Sequence, residues 1–165
     1  MTGTGPLIRP MTPADRSALA SFPDRVSAAS AIFRFHGSVT MLTDKTLNLL
    51  LDLVEGQREA IAAVDDRGIA GVARFARDDL DPAIAEVAIL VADEWQHRGL
   101  ARQLLRPLAE RARSAGIERF RAEIQADNTV ARRFVLGLTP TARERPGNGV
   151  VVVLIDVAEL LRLLD

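Results

Sequence analysis

The segment Ala83-Ile84-Ala85-Glu86-Val87-Ala88-Ile89-Leu90-Val91-Ala92 constrains the fold more than any other stretch of this chain. Every side chain in it except Glu86 is apolar, with no polar alternation, and polar residues bound it at Asp81-Pro82 and Asp93-Glu94. A run of this length and pattern predicts a strand covered on both faces, at the centre of a sheet. Such a strand needs helices to cover it. Leu100, Leu104, Leu105, Leu108 and Ala109 fall at helical spacing over Leu100 to Ala115, and Gly116 stops the pattern. Phe120 to Ile124 reads as the next strand, so strand, helix and strand form a right-handed parallel βαβ unit.

The rest of the chain fits around this unit. Leu7-Ile8-Arg9 predicts a short first strand, and Thr12-Pro13 caps a helix over Ala14 to Ala20. A second helical stretch is expected over Val26 to Phe35. A third is capped by Thr43, carries Leu47, Leu50, Leu51 and Val54, and ends at Gly56. Ala60 to Val64 and Ile69 to Phe75, joined by Asp65-Asp66-Arg67-Gly68, form a hairpin. Asn128 to Leu136 predicts a short helix, Val150 to Ile155 a β-branched final strand, and Ala158 to Leu164 a terminal helix. The fold class is mixed α/β, with a mostly antiparallel sheet.

With 165 residues, 48% of them hydrophobic and 26% charged, the chain fits one globular domain over 1–165, with residues 1–6 expected to be flexible. No apolar run approaches the roughly 18 residues of a membrane span. There is no basic start followed by an apolar stretch, and no cysteine, so a cytoplasmic location is expected and thiol chemistry is excluded. A net charge of −1 gives no global attraction to nucleic acid or to a membrane surface. The two histidines, His36 and His97, have no acidic spacing motif around them, so no metal site is expected. Val150-Val151-Val152-Val153 suits either an edge pairing across a dimer or a strand inside the sheet, which leaves the oligomeric state open.

The junction between the buried strand and the long helix carries the strongest chemical signal. A helix N-terminus offers free N–H groups and a partial positive charge, a ready site for phosphate. Gly99 and Ala101 let main chain approach an oxygen closely, while Gln96, His97 and Arg98 can present further donors. Taken alone, the turn is equally well explained as an ordinary helix start. Glu86 is likewise open: a lone carboxylate in a buried strand is either a salt-bridge partner or a working acid–base group.

Gln96-x-x-Gly99-x-Ala101 resembles the Q/R-x-x-G-x-G/A signature of the GNAT superfamily of N-acetyltransferases. From Ile8-Arg9-Pro10 through Arg34-Phe35, Leu42-Thr43-Asp44 and Ala85-Glu86-Val87-Ala88 to Trp95-Gln96, the chain is similar to the acetyltransferase domain of bacterial Pat-type protein lysine acetyltransferases. The resemblance covers residues 7 to 156. It implies a GNAT fold with a sheet of about six to seven strands flanked by helices. It also implies acetyl-CoA as cosubstrate, its pyrophosphate in the turn from Gln96 through Leu100 to Ala101 and its pantetheine arm along Ile89, Leu90 and Val91; of the arginines on the helix that follows, Arg102 is the best candidate for the 3′-phosphate, although a solvated face is the simpler explanation. Asn128 resembles the family's residue opening the helix beside the cofactor, where a plain N-cap explains it as well. Glu86 stands where Pat-type enzymes place a glutamate general base, which an ammonium of pKa about 10.4 requires before it can attack a thioester. A strand N–H near Leu90 would stabilise the oxyanion.

The implied acceptor is a protein lysine, for example on an acyl-CoA synthetase. Small amines are the alternative, favoured if Asp44, Asp78, Asp79 and Asp81 make an acidic cleft. One feature departs from the family. Many relatives protonate the leaving thiolate with a tyrosine in the helix after Asn128, whereas this chain has no tyrosine and carries Phe134-Val135 there. That departure raises a catalytically silent CoA-binding regulatory module as a third reading.

Overall fold

A computed structural model describes residues 4–27, 42–139 and 143–165. Seven strands, β1 (Leu7–Pro10), β2 (Arg58–Asp65), β3 (Gly68–Arg77), β4 (Ile84–Val91), β5 (Arg119–Gln125), β6 (Arg143–Pro146) and β7 (Val150–Asp156), form one sheet in the order β1-β2-β3-β4-β5-β7-β6. Its helices among the described residues are α1 (Arg16–Ser21), α2 (Asp44–Leu50), α3 (Leu100–Ser114), α4 (Thr129–Leu138) and α5 (Val157–Leu164). The apolar run becomes β4 and lies fourth of seven. Only its pairing with β5 is parallel, as the α3 crossover requires.

Both faces of the sheet are covered, but by different elements. One core gathers Phe75, Val87, Ile89, Phe120 and Val153 with Leu104 and Leu108 of α3 and Leu160 of α5. The opposite core gathers Val72, Leu90 and Ala62 with Leu19 of α1, Phe22, and Leu47 and Leu50 of α2. Helix α3 sits close because Gly71 gives it room: a Cβ there would lie 2.9 Å from Leu104 Cδ1 and 3.3 Å from the Leu90 carbonyl.

Several expectations change at this level. Thr12 opens a 3-10 turn over Pro13–Asp15 before α1, with the Asp15 carboxylate accepting from the Thr12 N–H at 2.9 Å. The helix expected over Val26 to Phe35 does not begin there: Phe22–Arg25 is a 3-10 turn and Val26 is extended. The remainder, with Arg34, Phe35 and His36, lies largely outside the described residues. Helix α2 is capped by Thr43, which accepts from Thr46 N–H at 3.2 Å, but ends at Leu50 rather than at Gly56. Strand β6 was not anticipated, since Arg143-Glu144-Arg145-Pro146 has neither apolar alternation nor strand propensity. Because β6 takes the edge, β7 is an interior strand rather than an exposed one.

The feature that positions a site is a gap. β4 and β5 pair only over Ile84↔Arg119, Ala85↔Phe120 and Glu86↔Arg121, after which β5 stays with β7 while β4 continues to Val91. The strands part beyond Glu86, and the two halves of the sheet splay. None of the described helices is long and apolar enough to cross a membrane.

Candidate functional site

The main chain of β4 lines this splay in a defined way. Ala92 N–H donates to the Ala70 carbonyl and the Ile84 carbonyl accepts from Asp78 N–H, each at 2.8 to 2.9 Å. In an antiparallel ladder this fixes the alternation: Glu86, Ala88 and Leu90 turn their main-chain groups toward β3. Ala85, Val87, Ile89 and Val91 turn theirs toward β5, so where β5 departs, Ile89 and Val91 are left to present N–H groups to the gap. The Leu90 N–H itself faces Val72 of β3.

At the end of β4 stands the turn. Residues Asp93–Trp95 form a 3-10 turn, Gly99 adopts φ 78 and caps α3, and its carbonyl accepts from Gln103 N–H at 3.2 Å. The amides of Leu100, Ala101 and Arg102 open the helix with no carbonyl a turn earlier to bind. His97 has φ 58, the non-glycine residue with positive φ among those described. Such backbone costs about 1 kcal/mol and tends to persist where a site needs it. His97, Arg98 and Gly99 are exposed, whereas Leu100 and Ala101 are buried against the sheet.

Side chains in the turn have distinct duties. Gln96 Nε2 donates to the Val91 carbonyl at 3.3 Å, bracing the end of β4. Arg98 stacks on the Trp95 ring, 5.3 Å from its centroid. Arg102 points its guanidinium elsewhere, donating to the Leu163 carbonyl of α5 at 3.0 Å. Asn128 caps α4, its side-chain oxygen accepting from Ala131 N–H at 3.1 Å.

A network the sequence did not reveal anchors the turn from beneath. Trp95 Nε1 donates to Asp65 Oδ2 at 2.8 Å, and Arg25 reaches Asp65 at 2.7 Å and Glu94 at 2.5 Å. The Arg25 bond, helped by Trp95 and by Arg67 N–H, holds the Asp65 carboxyl down to about 2 despite its burial. A depressed carboxyl stabilises the fold fully above its unfolded value near pH 4 and loses that contribution as the pH falls toward 2. Trp95 is the sole tryptophan and there is no tyrosine, so its emission reports on this network. Urea unfolding followed by Trp95 fluorescence should show stability falling between about pH 4 and pH 2, and Asp65→Asn should flatten that part of the profile.

On the face away from α3, Glu86 sits at the mouth of the splay. Its side chain is 35% exposed and its Oε2 lies 3.9 Å from Arg121 Nη2, the residue opposite it in β5. Arg121 holds Asp78 more closely, at 3.1 Å. Asp44 pairs with Arg16 at 3.1 Å, so two of the four aspartates expected to form an acidic cleft are offset by arginines. Among the described residues no three His, Asp or Glu side chains converge as a metal site would need.

A splayed pair of strands with free N–H groups, a helix N-terminus beyond it and a carboxylate at its mouth form a site for an elongated ligand with an anionic end. A sequence model of the Acetyltransferase (GNAT) family matches residues 30–137. Acetyltransferase Pat of Mycolicibacterium smegmatis is 30% identical over 94% of this chain and 47% of its own length, so this chain spans about half of that relative. An acetyltransferase of Pseudomonas aeruginosa is 29% identical over 89% of this chain and 81% of its own. Among solved structures, the GNAT domain of S. lividans PAT matches with a TM-score of 0.77 at 30% identity, covering 90% of this chain and 89% of that one. At 17% identity and a TM-score of 0.66, the ribosomal-protein-S18-alanine N-acetyltransferase of Escherichia coli shares the fold alone, over 90% of each chain. The protein belongs to the Acetyltransferase (GNAT) family.

Proposed function

We infer that the protein transfers an acetyl group from acetyl-CoA to the ε-amine of a protein lysine, with Glu86 as general base. The observation that carries this is the position of Glu86: a half-exposed carboxylate at the last paired residue of β4, where the strands part. The resemblance to Pat-type protein lysine acetyltransferases favours a protein acceptor, and the Asp44 and Asp78 carboxylates, each paired with an arginine, give little reason for a small polycation to bind.

Acetyl-CoA supplies the activated acyl group, and the described residues fit it. The amides of Leu100, Ala101 and Arg102, with Gly99 removing bulk, would hold the pyrophosphate, while Arg98 and His97 stand beside it. Gln96 braces the end of β4, and Ile89 and Val91 would pair with the pantetheine arm, one N–H serving the developing oxyanion. Arg102 contributes its main-chain amide, since its side chain is engaged at α5. Asn128 holds the start of α4. Glu86 takes the proton of the incoming ammonium directly or through a water.

Phe134 and Val135 have no proton to give, and Val135 is fully buried. The thiolate then leaves unassisted, which a thiol of pKa about 8.5 permits near neutral pH. This gap also favours the second reading, a module that binds acetyl-CoA without transferring from it. A thiol-reagent assay of CoA release separates the readings, and a chain without cysteine adds no background. Release that depends on an added acyl-CoA synthetase supports lysine transfer. Release with a polyamine only supports the small-amine alternative, and binding without release supports the silent module.

A further inference from the structure

The strand register aligns two rows of side chains across the sheet face that carries Glu86. Ala60, Arg74 and Ala88 form one row; Arg58, Ala76, Glu86, Arg121 and Leu154 form the next. Two of the three arginines are held: Arg58 by Asp52 at 3.0 Å and Arg121 by Asp78 at 3.1 Å. Arg74 is not. Its Nε is buried without a partner, as is the Nε of Arg121, and among the described residues no hydrogen bond or ion pair engages its guanidinium. Burial pulls Arg74 below its usual pKa, the charge of Glu86 opposes this, and Arg58 adds to it.

A half-buried guanidinium whose Nε is shut away from water with no hydrogen-bond partner is a standing cost to a fold. Glu86, one row along, is the carboxylate whose charge acts on Arg74, and no carboxylate makes a hydrogen bond or ion pair with it among the described residues. The unpartnered donor is open to an anion carried by a ligand. That anion would sit one row along the sheet from Glu86, about 5–8 Å away by the spacing of neighbouring pairs.

We propose that Arg74 receives a carboxylate of the acceptor, so that the enzyme selects amines bearing an anionic group near the nucleophilic nitrogen. The inference rests on Glu86 marking where the amine arrives. An ammonium facing Glu86 and a carboxylate facing Arg74 match the charges of the two rows. The carboxylate belongs either to an acidic residue flanking the target lysine or to a free amino acid, and both present the same chemistry.

The test uses the purified chain, acetyl-CoA and two single-lysine peptides with both terminal groups blocked, one flanked by glutamate and one by glutamine, with γ-aminobutyrate as a separate arm. The glutamate peptide should exceed the glutamine peptide in kcat/KM by about tenfold, mostly through KM. Arg74→Met should remove the ratio and Arg74→Lys should restore part of it. Turnover of γ-aminobutyrate alone, with the same dependence on Arg74, supports the receptor while overturning the protein-lysine reading. Equal rates on the two peptides, or a preference that survives in Arg74→Met, overturn the inference even where Glu86→Gln abolishes turnover and the base assignment stands. If no acceptor turns over, glutarate decides by thermal melting. A Tm raised in wild type and not in Arg74→Met supports the receptor, and a Tm unchanged in both or raised equally in both overturns it.

Discussion

Glu86→Gln should lower kcat/KM for an amine acceptor by about 10²- to 10⁴-fold at neutral pH, the span that general-base catalysis supplies. The substitution keeps size and polarity, and Glu86 lies on the sheet face away from the α3 core, 35% exposed and loosely paired at 3.9 Å with Arg121. Stability should therefore change little, and so should acetyl-CoA affinity, because the splay and the turn are built from main chain beyond Glu86. The loss should shrink as the pH rises toward the acceptor's own pKa, where less of the amine needs a base. A rate–pH profile with acetyl-CoA saturating separates this from a folding defect, which would depress both limbs together.

Gly99→Val should weaken acetyl-CoA binding by about 10- to 100-fold while leaving the melting temperature within a few degrees of wild type. Gly99 holds φ 78 at the cap of α3, and its added Cβ would meet no atom within 4 Å, so the core is not disturbed. What changes is the backbone. A β-branched residue resists the left-handed region by about 1–2 kcal/mol, and relaxing it swings the Leu100 and Ala101 amides off the position where an anion would sit. Calorimetry with acetyl-CoA measures the loss, and Trp95 emission follows it independently, since Arg98 of the same turn stacks on that ring. An affinity equal to wild type would mean that the turn does not hold the pyrophosphate.

The parts of the molecule that were legible from sequence are those where burial and helix geometry leave little choice. An apolar run that cannot alternate must lie at the centre of a sheet, and Ile84–Val91 does; the periodic leucines after Gly99 must cover it, and Leu100–Ser114 does. Glu86 stood out for the same reason. Arg74 was equally visible as a lone charge in Gly71-Val72-Ala73-Arg74-Phe75, but its meaning depends on two rows of neighbours that only the register reveals. The Arg25–Asp65–Trp95 network was out of reach because its members are 30 to 40 positions apart. Strand β6 is polar and ends in proline, which sequence patterns read as loop; its edge position tolerates both, since an edge proline leaves no ladder donor missing.

Side-chain direction explains the remaining differences. Arg102 follows the turn in sequence, yet helical geometry carries its guanidinium to the end of α5. Leu90 lies in the strand segment that lines the splay, but the two-residue alternation gives its N–H to β3 and leaves Ile89 and Val91 facing the gap. A motif locates the segment; the ladder decides which atoms face the ligand.

The central claim is that this site moves acetyl groups onto lysines with Glu86 as base. Its most direct test is acetyl-lysine mass spectrometry of one desalted lysate, divided and incubated with acetyl-CoA and equal amounts of wild type or Glu86→Gln. Both proteins should bind acetyl-CoA alike, and a defined set of lysines should be acetylated by wild type only. The same lysines labelled to the same extent by both proteins would contradict it.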